Sequence, residues 1–227
     1  MLNELSSQYS NLTDRLNNFL PTETIDNVPI TELQNVIDSL PKLLNRNITI
    51  NVLAGTYTGT LVISNNSGNG FIDIFGATTK GTTHTIDGGI QIFSNNNTYI
   101  RLRGFNIIGV LANNYSIHIT NNVCRIMFLE TICRKSGARS AGSLLSGNAH
   151  VDFSQCEFHN HDNAIYCSNS LCTINTLHVT DVANAIVSQI NGRVHCAYTP
   201  TGTALSNIYV VMLGGYIVRT SGTLLGT

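Results

Sequence analysis

The sequence predicts an all-β fold: a right-handed single-stranded parallel β-helix, with an N-terminal capping helix and a short heptad (coiled-coil) helix before it. Three observations carry this prediction. First, an apolar template, Ile100-x-Leu102-x-x-Phe105-x-Ile107, recurs as Ile126, Phe128, Thr131, Cys133, then as Val151, Phe153, Cys156, Phe158, and again as Cys172, Ile174, Leu177, Val179. Second, the copies, with a fainter one opening at Val194 and Cys196, start 26, 25, 21 and 22 residues apart (100, 126, 151, 172, 194). Third, Asn97, Asn148, Asn169 and Asn191 each stand three positions before the first apolar residue of their copy. Strict alternation buries one face of a strand, and self-similarity at a period of roughly 20–50 residues marks a solenoid. Each copy reads as two short strands meeting at a corner, with little that could be helical.

Stacked strands lie about 4.8 Å apart, so each apolar position becomes a continuous column. One column runs Ile100, Ile126, Val151, Cys172, Val194; its neighbour runs Leu102, Phe128, Phe153, Ile174, Cys196. The asparagines suit tight corners, because Asn tolerates the left-handed conformation and bonds its own backbone. The unequal repeat lengths place the loops on one side.

The chain has 227 residues, enough for one elongated domain and a small appendage. Charged residues make up 11%, and the formal net charge of -1 offers no basic face for nucleic acid. Met1-Leu2-Asn3-Glu4 lacks the basic start and apolar run of a secretory signal. No stretch approaches the ~20 apolar residues of a membrane span. The six cysteines, Cys124, Cys133, Cys156, Cys167, Cys172 and Cys196, show no CxxC spacing. Four take apolar repeat positions, which favours reduced, buried thiols. Cys133 and Cys156 read as sharing a column, where a disulfide is conceivable.

In chain order, Leu2, Leu5, Tyr9, Leu12, Leu16 and Phe19 form a heptad stripe that calls for a partner. Pro21 ends that helix, and residues 21–29 read as a linker, so 1–29 is expected to serve oligomerisation and attachment. Residues 30–47 are expected to be a capping helix. There, Thr31-x-x-Gln34 fits a capping box, and Leu33, Val36, Ile37 and Leu40 form one apolar stripe. The β-helix is expected over 48–227, its first strands being Ile48–Val52 and 54–63, followed by Phe71–Gly76 and Ile90–Ile92.

Two series then resemble a known family. The opening is Leu33-Gln34-x-x-Ile37-Asp38-x-Leu40-Pro41-Lys42, then Ile50-x-Val52-x-x-Gly55-Thr56-Tyr57, then Ile72-x-Ile74-x-Gly76. It is similar to the start of phage tail-fibre and tailspike β-helices of the pectate-lyase-like type. The stretch from Gly202-Thr203-Ala204 through Gly214-Gly215-Tyr216 to Ser221-Gly222-Thr223 resembles their last turns. The resemblance covers residues 30–225. It implies a virion component, assembled in the host cytoplasm and often a homotrimer, with residues 1–29 toward other virion proteins. Function is less specified, since one solenoid carries many activities. A non-catalytic host-surface carbohydrate binder is expected, with a structural attachment or decoration protein of the neck, baseplate or head as the alternative.

Chemistry is sparse in the sequence. Relatives that cleave pectin cluster aspartates, and here Asp73, Asp87, Asp152, Asp162 and Asp181 are scattered. If there is catalysis, Glu130 and Glu157 are the pair, on adjacent turns within glycosidase reach; the expectation is no polysaccharide lyase or hydrolase activity. His159 and His161 lack a third metal ligand at a suitable spacing, so no metal and no cofactor is expected. An outward column collects Tyr99, Arg125, His150, Leu171 and Arg193, beside Arg101 and His195. Such side chains can hydrogen-bond and stack against a glycan, line a seam between subunits, or simply meet solvent.

Overall fold

A computed structural model describes residues 21–111, 113–135, 141–219 and 224–225. The heptad of Leu2, Leu5, Tyr9, Leu12, Leu16 and Phe19 lies outside the described residues. The described residues form a parallel β-solenoid of about eight turns with one short helix.

Each full turn has three faces. The first stacks Thr22–Val28, Asn47–Val52, Phe71–Phe75, Asn96–Arg103, Val123–Leu129, His150–Ser154, Leu171–Ile174, Arg193–Cys196 and Tyr216–Arg219, all parallel. The second runs from Gly55–Thr58 through His84–Asp87, Asn106–Ile107, Ile132–Arg134 and Cys156–His159. The third runs from Leu61–Ser64 through Ile90–Phe93, Tyr115–Thr120, Ala141–Leu145 and Asn163–Ser168. Leu177–Gln189 turns the corner without a break and belongs to both the second and third faces, followed by Thr201–Met212.

The expected columns are present. Ile100, Ile126, Val151, Cys172 and Val194 pair in register, as do Leu102, Phe128, Phe153, Ile174 and Cys196. Both columns extend toward the N-terminus through Ile72 and Ile74, then Ile48 and Ile50. Each of these side chains is at most 2% exposed. Burying a large aliphatic or aromatic side chain stabilises by about 1.5–3 kcal/mol, and the columns repeat that gain on every turn.

The step from the first to the second face is seven residues in each copy: Ile100 to Ile107, Ile126 to Cys133, Val151 to Phe158, Cys172 to Val179. From the second face to the third, the steps are ten, ten, seven and seven: Ile107 to Ile117, Cys133 to Ser143, Phe158 to Ile165, Val179 to Ile186. Most of the variation in repeat length sits at that corner, as the unequal spacing suggests.

Asparagine serves the corners in two ways. Asn97, Asn148, Asn169 and Asn191 all take the left-handed conformation, with φ of 58°, 66°, 48° and 59°. A separate, buried ladder runs through Asn66, Asn95 and Asn122. The Asn66 Nδ2 donates to Asn95 Oδ1 at 3.1 Å, and Asn95 Nδ2 donates to Asn122 Oδ1 at 3.1 Å. Those same oxygens accept from the backbone N–H of Asn66 and Asn95, both at 3.0 Å. A buried amide group is costly unless bonded, and the ladder meets that need for Asn95 and Asn122, leaving Asn66 Oδ1 at its N-terminal end without a hydrogen-bond partner among the described residues.

Four readings need correction. Residues 21–29 are not a linker, for Thr22–Val28 is a strand of the first face, paired with Asn47–Val52. Thr31 does not open a capping box. A 3-10 turn, Ile30–Glu32, precedes the helix α1 (Leu33–Ser39), whose N-cap is Glu32 with no side-chain cap bond. Only part of residues 30–47 is helical, though Leu33, Ile37 and Leu40 are buried as the stripe requires. Finally, Cys133 and Cys156 do not share a column: Cys133 pairs with Phe158, and Cys156 with Leu177. All six cysteines are free and buried.

Candidate functional site: a groove along the first face

Strand alternation turns the residues between the buried columns outward. The register carries Tyr99 onto Arg125, His150, Leu171, Arg193 and then Tyr216. The next outward column runs Asp73, Arg101, Met127, Asp152, Thr173, His195.

Beside the first of these columns, the chain enters the face through the left-handed asparagines. The turn and the column enclose two shallow clefts of about 370 Å³ each. One is lined by Asn97, Thr98, Tyr99, Cys124, Arg125, Asn148 and His150. The other uses Asn148 and His150 again, with Asn169, Leu171, Asn191 and Arg193. Because they share Asn148 and His150, the clefts form one groove along the stack. Among the described residues, no carboxylate lines it.

Its polar groups are held from the side. Asp152, buried in the neighbouring outward column, accepts from Arg125 Nε at 2.6 Å and lies 3.5 Å from His150 Nε2. Arg125 stacks over Tyr99 at 5.9 Å from the ring centroid, and Tyr99 donates to Met127 Sδ at 3.2 Å. Burial pushes the Tyr99 phenol up, while Arg101 and Arg125 oppose that shift. The Asp152 hydrogen bond holds the Arg125 guanidinium above its ordinary value, so the group is a permanent cation. Arg193 stacks over Tyr216 at 5.6 Å, repeating the arginine-on-tyrosine pairing two turns beyond His150. Cation–π contacts of this kind are worth ~0.5–1 kcal/mol at exposed sites, enough to hold a guanidinium in place.

Of the residues singled out in the sequence, the groove gathers Tyr99, Arg125, His150 and Arg193. Arg101 and His195 lie outside its lining. Arg101 is tied to the buried Asp73 through Nε at 2.9 Å and through a second contact from its Nη2. The asparagines at the corners line the groove as well, a role that the sequence reading did not give them. Their signal was there, since a left-handed corner leaves the exposed carboxamide beside the first outward residue of the next strand.

The Glu130 and Glu157 pair is built differently. Glu130 is a corner residue with φ of 51°, and its carboxylate accepts from Arg103 Nε at 2.8 Å. Glu157 lies on the second face, bonded to Lys80 Nζ at 2.6 Å and to His159 Nε2 at 3.0 Å. Burial would raise the Glu157 carboxyl, but the Lys80 and His159 bonds and charges outweigh it and hold it below the ordinary value. A general acid needs the opposite shift. His161 is buried and near the Cys133 carbonyl. Among the described residues, no three His, Cys, Asp or Glu side chains are placed to hold a metal, and no helix is long and apolar enough to cross a membrane.

The groove therefore offers carboxamides, one imidazole, two guanidiniums and an aromatic edge along a straight line, with strand spacing of ~4.8 Å. No family model, no curated protein and no solved structure matches this chain.

Proposed function

We propose that this chain is a non-catalytic fibre protein of a bacteriophage particle whose first-face groove recognises host-surface carbohydrate. The observation that carries the reading is the groove itself, where Tyr99, Arg125, His150 and Arg193 share clefts with four corner asparagines. Sugars present hydroxyls and apolar C–H faces. Fixed carboxamides and guanidiniums meet the hydroxyls, and an aromatic or Leu171 meets the apolar faces. The open, linear shape suits an extended polymer better than a small molecule, which needs deeper enclosure. The tail-fibre and tailspike resemblance of residues 30–225 supports the virion setting. In the same reading, Leu2, Leu5, Tyr9, Leu12, Leu16 and Phe19 associate the chain as a homotrimer and join it to other virion proteins.

The experiment is a binding measurement against teichoic, capsular and pectic polymers, with Tyr99→Ala/Arg125→Ala beside the unmutated chain. Binding lost in the variant, with its β-rich circular dichroism unchanged, supports the proposal. No binding by the unmutated chain to any host-surface glycan overturns it.

A second reading rests on one specific observation. Arg101 and Arg125 are already committed to the buried Asp73 and Asp152, which is what a stiff, inert spacer needs to keep its strands in register. In that case the chain is a structural attachment or decoration protein. A map of the particle placing it at the neck or head, away from the tail tip, favours the spacer.

A further inference from the structure

The two ends of the solenoid are finished in opposite ways. At the N-terminal end of the third face, the Gln34 carboxamide bonds both backbone groups of Val62, accepting from its N–H at 2.7 Å and donating to its carbonyl at 3.0 Å. At the same end of the second face, a Cβ on Gly55 would stand 2.9 Å from Ile30 Cγ2, so the 3-10 turn is seated on that strand. The first face ends in Thr22–Val28, whose Glu23 and Asp26 put charge on the outer strand, a usual guard against edge pairing.

Among the described residues, the other end has no such guard. Thr201–Met212 pairs with Leu177–Gln189 along one edge, and no described residue pairs with its other edge. Leu224–Leu225 pair with Ile217 and Val218 on the first face instead. Between His195 and Arg219 there is no Asp, Glu, Lys or Arg. Ile208, Met212 and Leu213 are 44%, 42% and 78% exposed. Tyr209 and Val211, which point inward onto the core, are only partly buried, and no described strand stacks on theirs.

We propose that the free edge of Thr201–Met212 pairs antiparallel with the same edge of a second copy, about a two-fold axis. Head-to-tail stacking is blocked on these faces, because Gln34 and Ile30 occupy the end that would have to receive the strand. A two-fold contact requires only that the strip match itself, and an uncharged strip meets its copy without repulsion. The pairing satisfies the outward N–H and C=O groups of the strand and covers Tyr209 and Val211. It is independent of carbohydrate binding by the first-face groove.

The test is the solution mass of the full chain at micromolar concentration. Ile208→Lys/Met212→Lys should halve the mass of the unmutated chain, whether or not residues 1–20 associate as well. Leu43→Lys, at the opposite end and 68% exposed in Leu43, should leave it unchanged. A cross-link gives a second readout that does not depend on the double variant folding. Since every native cysteine is buried, Ile208→Cys adds the accessible thiol, and mild oxidation should yield a covalent dimer that Leu43→Cys does not give. Equal masses for the unmutated chain and a folded double variant, or no cross-link through Ile208→Cys, would overturn the proposal.

Discussion

Phe128 and Phe153 stack ring on ring across adjacent turns, with centroids 5.4 Å apart and planes 15° apart. Phe158 closes on Phe153 edge-on at 5.8 Å. This aromatic knot sits in the column between Leu102 and Ile174 of the neighbouring turns.

Truncating Phe153 removes the central ring of the three. Phe153→Ala should therefore cost about 3–5 kcal/mol, because the rigid stack leaves little room for collapse. Phe153→Asp should prevent folding, since a bare carboxylate in a dry column costs several kcal/mol more. One residue before Ile174, the half-buried Thr173 faces outward, with its hydroxyl 3.5 Å from His150 Nε2. Thr173→Lys, which sets a cation beside the buried Asp152, should stay within about 0.5 kcal/mol of the unmutated chain. Urea midpoints decide it: equal damage from Thr173→Lys and Ile174→Lys would refute the register.

That register was legible because the step from the first face to the second is seven residues in each of the four matched copies. The third face escaped notice for two physical reasons. Its distance from the second face changes from ten to seven residues, and its inward positions include Ser143 and Ser188, which blur the alternation. Both serines are buried and donate to backbone carbonyls, Ser143 to Ala164 of the next turn at 3.1 Å and Ser188 to Gly192 at 2.8 Å. Thr22–Val28 read as a linker because prolines flank it and acids punctuate it; only its partner, about 25 residues on, makes it a strand. For the groove, the outward column could be read from spacing. The clefts could not, because they depend on how far each left-handed corner stands back from the strand it feeds.

The two asparagine roles separate under mutation. Asn95→Ala strips the acceptor from the Asn66 N–H and Nδ2, and the donor from the carbonyls of Ile63 and Phe93. Each buried group left unbonded costs roughly 1–3 kcal/mol, so thermal unfolding should show a loss of at least that size. Asn97 is exposed and needs only its φ of 58°. Asn97→Gly should be nearly neutral, whereas Asn97→Val should cost about 1–2 kcal/mol through left-handed strain. Similar losses for Asn95→Ala and Asn97→Gly would dissolve the distinction.

Stability should fall away on both sides of neutral pH, for opposite reasons. Burial pushes Cys124, Cys156 and Cys167 up to about 12, from an ordinary thiol value of 9.0. Thiols raised in this way add stability that is fully present below their unfolded value and lost as pH climbs toward the folded one. Glu157 behaves the other way. Its depressed carboxyl contributes above the ordinary carboxylate range, and that contribution disappears as pH falls through the folded value. Urea midpoints from acid to alkaline pH should trace a plateau with two falling limbs. Glu157→Gln should make only the acid limb shallower, and Cys156→Ala only the alkaline one, to which Cys124 and Cys167 still contribute. An alkaline limb that begins below pH ~8 would contradict the thiol assignment.

The end of the third face gives the last prediction. Gln34 supplies Val62 with the acceptor and donor that a preceding strand would otherwise provide, while its Nε2 also reaches Asp38 Oδ1 at 2.9 Å. An intramolecular hydrogen bond contributes about 0.5–1.5 kcal/mol net, so Gln34→Ala should cost roughly 1–3 kcal/mol for the two bonds to Val62. Gln34→Glu should be no better. A carboxylate keeps the bond from the Val62 N–H, but it sets a negative charge against the Val62 carbonyl and beside Asp38. Amide hydrogen exchange locates the effect. In Gln34→Ala the Val62 N–H should lose protection, while amides near Phe153 keep theirs. Unchanged exchange at Val62 would mean that the carboxamide does not stand in for a strand.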